Sequence, residues 1–369
     1  MDNPGEAHWR DPKIVWDDER HEWLMVLAEG HRIGFYTSPD LKAWSYRSSF
    51  ERGDLGILEC PDLFRMSLDG DPSKTTWVLA AGVNGEAQGM PTGTAYWTGA
   101  WNGETFTAAD AGTGAEPAWL DRGADFYAAV TWDDPRKAPA DRLASRYAIG
   151  WLNNWAYAGD LPNADWHGGA DSTVRELTLR TVDGRPTLVS EPVEALDSLE
   201  GDADTVHGLT VTDAASTPLP QPRSDAYRLR VDVAPDPDDP ASEVRFRVKE
   251  GEGAFATVGV DFEAGVAFIA RDHDIVAASM PPVYREVRTA PAVVRDGVVT
   301  LDVIVDAGSV EVFVNGGESV LSNVVFGAPD ANGLSVESVG GATSLRSVRL
   351  TPLAVAPVER APSPSPSEG

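Results

Sequence analysis

The sequence predicts an all-β chain in two parts, and three observations carry that prediction. Short apolar runs recur through the first half, separated by residues that favour turns. These runs gather into groups of four at a spacing of roughly 40–50 residues. After the proline-marked stretch Thr217-Pro218-Leu219-Pro220-Gln221-Pro222 the texture changes to evenly alternating runs such as Tyr227-Arg228-Leu229-Arg230-Val231-Asp232-Val233, with few helical stretches.

The first group comprises Arg10–Asp17, Trp23–Glu29, Arg32–Ser38 and Trp44–Phe50. It is punctuated by Asp17-Asp18-Glu19, Gly30-His31 and Ser38-Pro39-Asp40. Strands this short and close together are joined antiparallel. A second group runs Glu59–Met66, Thr76–Val83, Thr94–Trp101 and Glu104–Ala109, with Asn102-Gly103 as a hairpin signal. The third runs Asp125–Trp132, Tyr147–Asn153, Val174–Thr181 and Pro186–Glu191, with Asp183-Gly184 as its last turn. Groups of four are the mark of propeller blades, whose first strands line a central channel. Unrelated meanders in a sandwich fit the spacing equally well. The three groups open on Arg10-Asp11-Pro12, Glu59-Cys60-Pro61-Asp62 and Asp125-Phe126-Tyr127. In a propeller, the carboxylates of Asp11, Glu59 and Asp125 are therefore expected at one channel mouth.

The expected organisation is a partial propeller over residues 1–195, a connector over 196–224, a β-sandwich over 225–353 and a disordered Pro/Ser tail over 354–369. An open arc leaves an apolar face at residues 10–17 uncovered, which makes residues 1–195 the expected labile part. The sandwich is long enough to fold alone.

The chain has 369 residues, with 58 acidic against 30 basic side chains and a formal net charge of −28. That balance argues against nucleic acid and against anionic membranes as partners. No run approaches the ~18 apolar residues of a membrane span, and no signal peptide is visible at Met1–Glu6. Cys60 is the one cysteine, so an intrachain disulfide is excluded. A small packing residue is the preferred reading of it. The six histidines show no metal-ligand spacing, so neither metal nor cofactor is implied. Twelve tryptophans suit both a core and a sugar site, because a flat ring packs on the C–H face of a sugar.

From about Asp2 to Leu353 the chain resembles glycoside hydrolase family 32, the levanase, inulinase and invertase family. The resemblance rests on Arg10-Asp11-Pro12, Glu59-Cys60-Pro61-Asp62, Gly123–Ala128, Gly150–Trp155, Arg175–Leu179 and Ser309–Asn315, in that order. It implies a five-bladed propeller, of which about three blades are counted here, followed by a β-sandwich. It also implies retaining hydrolysis of β-fructofuranosyl bonds in levan, inulin or sucrose-type substrates, and an extracellular setting. Residue by residue, Glu59 matches the general acid/base and Asp11 the carboxylate that stabilises the transition state. Arg10 and Asp125 match positions close to bound fructose. The family's Trp-Met-Asn-Asp-Pro-Asn-Gly-like motif, which supplies the nucleophile, has no match in this sequence. A missing N-terminal fragment is therefore an expected partner beside the fructan or fructosyl oligosaccharide, and impaired activity is the expected state.

Ile57, Leu58 and Phe64, with the like charge of Asp11, are expected to raise the Glu59 pKa as a proton donor requires. Trp155 reads either as a platform for the sugar beyond the cleaved bond or as core. Two other readings of the whole stay open: a fructan-binding module without catalysis, and a silent fragment.

Overall fold

A computed structural model describes residues 3–84, 92–109, 116–161, 170–213, 216–328 and 331–354. The expected disordered tail, beyond Ala354, lies outside them.

The three groups of strands form three blades. The first is a four-stranded antiparallel meander of β1 (Trp9–Asp17), β2 (Glu22–Glu29), β3 (Arg32–Ser38) and β4 (Ser45–Glu51). The second holds β5 (Leu58–Leu68), β6 (Asp71–Asn84), β7 (Thr92–Trp101) and β8 (Phe106–Ala108), with a short β9 (Ala118–Trp119) added to β7. The third holds β10 (Tyr127–Trp132), β11 (Ser145–Trp151), β12 (Arg175–Val182) and β13 (Arg185–Pro192). The Asp183-Gly184 hairpin forms as expected: Val182 pairs with Arg185, and both turn residues have positive φ. A short helix, Pro139–Ala144, lies between β10 and β11 and has no counterpart in the sequence-based expectation.

Alternation explains how the blades pack. On β5, Leu63 faces the first blade and joins Leu24, Ile33 and Phe35 in one core, while the next residue, Phe64, faces the third blade and joins Phe126, Leu177 and Leu179 in another. The middle blade is covered on both sides, so β6 carries the unbroken apolar run Trp77-Val78-Leu79-Ala80-Ala81. The two ends of the arc show the opposite pattern. Ile14 and Trp16 on β1, and Val130 and Trp132 on β10, are 40–49% exposed. That exposure agrees with the open apolar face expected at residues 10–17.

The second part is a sandwich of two six-stranded sheets. Its strands are β14 (Asp204–Val211), β15 (Thr217–Pro218), β16 (Tyr227–Pro235), β17 (Glu243–Gly251), β18 (Ala254–Asp261), β19 (Val266–Ala270), β20 (Arg288–Pro291), β21 (Val299–Asp306), β22 (Ser309–Val314), β23 (Ser319–Val324), β24 (Gly333–Val339) and β25 (Thr343–Pro352). One sheet runs β14-β25-β16-β21-β22-β23 and the other β15-β24-β17-β18-β19-β20, with one continuous Val- and Leu-rich core between them.

Residues 196–224, expected as a connector, are in part sandwich. β14 pairs along its length with β25, from Asp204 opposite Leu350 to Val211 opposite Thr343. The run Thr205–Val211 places Val206, Leu209 and Val211 against the core, with positive-φ Gly208 shifting the alternation between the first two, a signal overshadowed by the acidic stretch before it. No helix among the described residues is long and apolar enough to cross a membrane.

Two buried ionic clusters join the propeller arc to the sandwich. Arg175 of β12 meets Asp121 at 2.9 Å and Glu311 of β22 at 2.7 Å. Asp121 in turn accepts from the Ser322 N–H and hydroxyl. Gly123 is required beside this cluster, because a Cβ there would lie 2.1 Å from the Ser322 nitrogen. The second cluster pairs Asp125 with Arg271 at 2.6 Å, both fully buried. Two stretches that carry the family resemblance, Arg175–Leu179 and Ser309–Asn315, thus meet each other across this interface.

Candidate active site

The inner strands of the three blades share a local distortion. Each has a break in its ladder near its start: between Arg10 and Lys13, between Glu59 and Asp62, and between Tyr127 and Val130. In each, one non-glycine residue inside the break has positive φ: Asp11 at 59°, Cys60 at 46° and Ala128 at 48°. These three residues are structurally equivalent, and so are Arg10, Glu59 and Tyr127 immediately before them.

That equivalence brings the chemistry together. Glu59 Oε1 accepts from Arg10 Nη2 at 2.6 Å and from Nε at 3.2 Å, while its Oε2 accepts from the Tyr127 hydroxyl at 2.5 Å. Asp11 Oδ2 accepts from the Cys60 N–H at 3.0 Å and lies 3.9 Å from Arg10 Nε. The two carboxylates thus meet the Nε edge of one guanidinium at the channel mouth. His8 Nδ1 lies 2.8 Å from Arg10 Nη1 and holds its other edge. Gly82, opposite Glu59 on β6, leaves room for the Tyr127 ring: a Cβ there would sit 3.0 Å from the ring. The side chains of Arg10, Asp11 and Glu59 remain 38%, 29% and 23% exposed, which leaves the cluster open to a ligand.

A second layer lies one step further along the channel. Buried Asp62 accepts from the Thr131 hydroxyl at 2.7 Å and meets Lys13 Nζ at 3.2 Å. Arg146 donates to the same Thr131 hydroxyl. Past this layer is a cavity of about 510 Å³ lined by Lys13, Trp16, Trp77, Thr131, Trp132 and Arg146, among others.

The electrostatics differ from expectation. Burial pushes the Glu59 carboxyl up, but hydrogen bonds from Tyr127 and Arg10 outweigh it and leave the group below its ordinary range. Leu58 and Phe64 do not act on Glu59 as foreseen, because their side chains are buried in the two inter-blade cores. Burial, with the charges of Asp11 and Glu59, pushes the Cys60 thiol up to about 12, so it stays a protonated neighbour of Asp11.

Of the residues foreseen from sequence, Arg10, Asp11 and Glu59 converge. Asp125 does not. It is fully buried two residues before the equivalent position, where it accepts from Arg271 Nη1, the Val324 N–H and the Tyr157 hydroxyl. Its partners lie 32 to 199 residues away in sequence, so its role as an interface anchor had no local signal. Tyr127 takes the place at the mouth that was expected for Asp125. Trp155 is 64% exposed and packs on Trp151 at 4.8 Å, and Trp151 pairs in register with Tyr127. This exposure rules out the core reading of Trp155. Tyr127, Trp151 and His8 were missed, although the offset of Tyr127 matches those of Arg10 and Glu59. Among the described residues, no group of three or more His, Cys, Asp or Glu could hold a metal ion.

Residues 1–192 match the glycosyl hydrolases family 32 N-terminal domain, and residues 195–352 match the glycosyl hydrolases family 32 C-terminal domain. A levanbiose-producing levanase of Bacillus subtilis (strain 168) is 38% identical over 354 residues, 95% of this chain and 65% of that protein. A levanase of the same strain is 34% identical over 95% of this chain and 51% of its own length. An extracellular exo-inulinase of Aspergillus ficuum is 31% identical over 91% of this chain and 63% of its own. The chain thus spans less than two thirds of the length of these relatives. Among solved structures, the exo-inulinase of Aspergillus awamori superposes with a TM-score of 0.82 at 29% identity, covering 96% of this chain and 69% of that one. With both halves matched in order and the propeller and sandwich in place, the chain belongs to glycosyl hydrolases family 32.

Proposed function

We propose that this chain carries the acid/base half of a β-fructosidase site acting on levan, inulin or sucrose-type fructosides outside the cell. The observation that supports this reading most is the convergence of Glu59, Arg10, Tyr127 and Asp11 at one channel mouth. Glu59 is assigned as the group that protonates the leaving oxygen and later deprotonates water. Asp11, oriented by the Cys60 N–H, is assigned to hold the fructose hydroxyls and to stabilise positive charge at the anomeric carbon. Arg10 is assigned to orient both carboxylates, and Trp155 to bear the sugar beyond the cleaved bond.

A retaining hydrolysis needs a second carboxylate about 5–5.5 Å from the acid, placed to attack. Asp11 is already committed to the Cys60 amide and the Arg10 edge, and Asp62 to Thr131 and Lys13. Among the described residues the nucleophile is therefore assigned to none, and the chain alone is proposed to turn over weakly. Fructose release from levan, inulin and sucrose by the purified chain tests this. Release at ordinary enzyme rates that disappears in Glu59→Gln would overturn it, because a resident residue would then be acting as nucleophile.

A second reading, fructan binding without cleavage, is favoured by the Glu59 ionisation. A carboxylate held below its ordinary pKa by Arg10 and Tyr127 is a poor proton donor until a substrate disturbs that cluster. Levan binding without release, even when the chain is joined to the family's nucleophile segment, would select this reading.

A further inference from the structure

We propose that the sandwich holds a second fructan-binding site, on the open face of the sheet β15-β24-β17-β18-β19-β20. The class of ligand rests on the fructosidase reading above. The site itself rests on the geometry of this face.

A cavity of about 440 Å³ lies there, within the ~300–1,000 Å³ usual for small-ligand sites. Its shape follows from side-chain size along the pairing rows. In one row Arg247 pairs with Thr257 and Thr257 with Ala270. Two short side chains are thus flanked by tall ones, Arg247 on one side and half-exposed Val287 on the other. In the next row Arg245 pairs with Gly259 and Gly259 with Phe268. The Phe268 ring lies over Gly259, where any Cβ would come within 2.2 Å of it. The floor is therefore smooth and apolar. One end is closed by Phe255, whose ring stacks on His273 at 4.5 Å and lies under the Arg247 guanidinium at 4.7 Å.

The polar groups around this floor suit a neutral polyol. Arg245 is paired with Glu243 and Arg247 with Glu337, at 2.5 and 3.0 Å. Each pair is partly exposed, so its charge is cancelled while planar donors and acceptors remain available to hydroxyls. Thr257, Thr289 and Asp272 add further hydrogen-bonding groups. A polyanion is disfavoured, since four carboxylates (Glu243, Asp261, Asp272 and Glu337) face two arginines and the whole chain carries a net charge of −28. An aromatic and aliphatic floor rimmed by in-plane hydrogen-bonding groups is the surface that a furanose ring recognises through its C–H face and hydroxyls. Bound there, a fructan chain stays attached to the protein independently of the channel mouth, which raises the local concentration of its other residues at that mouth.

Native gel electrophoresis of the full chain through levan, inulin or dextran tests the proposal, with all variants carrying Glu59→Gln so that polymer is not consumed. Retardation by levan or inulin but not dextran is expected. It should weaken about tenfold in apparent affinity with Phe255→Ala or with Ala270→Leu, which fills the floor without removing a polar group. It should persist when Trp155→Ala disables the mouth. Near-UV circular dichroism matching the parent shows that each variant is folded. Absence of retardation in the parent, equal retardation in the groove variants, or retardation lost only with Trp155→Ala would overturn the second site. Concentration-dependent dimerisation abolished by the same groove variants would assign the face to a second copy and also overturn it. Failure of the fructosidase reading shows separately, in fructose release, and leaves these gel shifts in place.

Discussion

Asp125 offers the sharpest contrast between a sugar contact and a structural anchor. Its carboxylate is fully buried and takes three hydrogen bonds, from Arg271 at 2.6 Å, the Val324 N–H at 2.9 Å and the Tyr157 hydroxyl at 2.5 Å. Arg271 is equally buried and reaches from the sandwich into the propeller arc. Asp125→Asn conserves the shape but leaves a guanidinium in the interior without its counter-charge. Breaking one side of such a pair costs about 3–5 kcal/mol. At about 2 °C per kcal/mol for a body this large, the melting midpoint should fall by roughly 6–10 °C. Differential scanning calorimetry measures the shift. A second variant, Arg271→Met, should give a comparable loss alone and little further loss combined with Asp125→Asn, because the cost lies in the unpaired partner. Fructan binding by Asp125→Asn, measured well below its lowered midpoint, should match the parent. A midpoint unchanged to within a degree or two together with lost fructan binding would refute the anchor and restore Asp125 to the sugar site.

Other outcomes follow from the same geometry. Glu59 is held below its ordinary pKa, so the stability it contributes is present above the unfolded carboxyl pKa of about 4.3 and is lost as pH falls through the lower folded value; melts across pH 2.5–6, a range set about that value, should show this dependence reduced in Glu59→Gln. Tyr127→Phe removes a hydrogen bond that favours the Glu59 anion, so the same window should move to higher pH, followed by carboxyl-specific NMR titration. The Cys60 thiol, pushed up to about 12 by burial and by Asp11 and Glu59, should react slowly with iodoacetamide at pH 8, and faster in Asp11→Asn because one of the charges opposing the thiolate is gone. Limited proteolysis should spare both parts of the chain in the parent, and Gly123→Ala should expose the arc first, since its Cβ would be forced to within 2.1 Å of the Ser322 backbone and prise the interface apart.

Strands and turns were legible because they follow from local rules. Short apolar runs between turn residues located nearly every strand of the blades, and Asp183-Gly184 fixed its hairpin through two positive φ angles. Where the sequence misled, the deciding partner was remote. The acidic run at 197–204 resembles a linker, yet the residues after it complete a sheet against β25, more than 130 positions onward. Arg175 and Glu311 lie in two of the stretches that carry the family resemblance, and they are also each other's counter-charges across the interface, 136 residues apart. Two buried ionic clusters that tie the arc to the sandwich likewise join residues far apart in sequence, and an arc considered alone does not reveal them.

The candidate site itself was half legible, and the three ladder breaks explain which half. In a regular strand, consecutive side chains point to opposite faces. Arg10 and Asp11 are consecutive, yet Arg10 reaches Glu59 and Asp11 reaches the Cys60 amide at the same mouth. The positive φ at Asp11 makes this possible by turning one residue out of alternation. Holding a non-glycine residue in that region costs on the order of 1–3 kcal/mol, and the distortion recurs at Cys60 and Ala128. Three such distortions at equivalent places are retained because each re-aims its neighbours: at the first Arg10 and Asp11, at the second Glu59 and the Cys60 N–H, at the third Tyr127. Acidic residues at strand starts can be read from a sequence. Which residue a bulge turns toward the channel depends on register between strands, and so Asp125 was chosen from sequence where Tyr127, two residues later, makes the contact with Glu59.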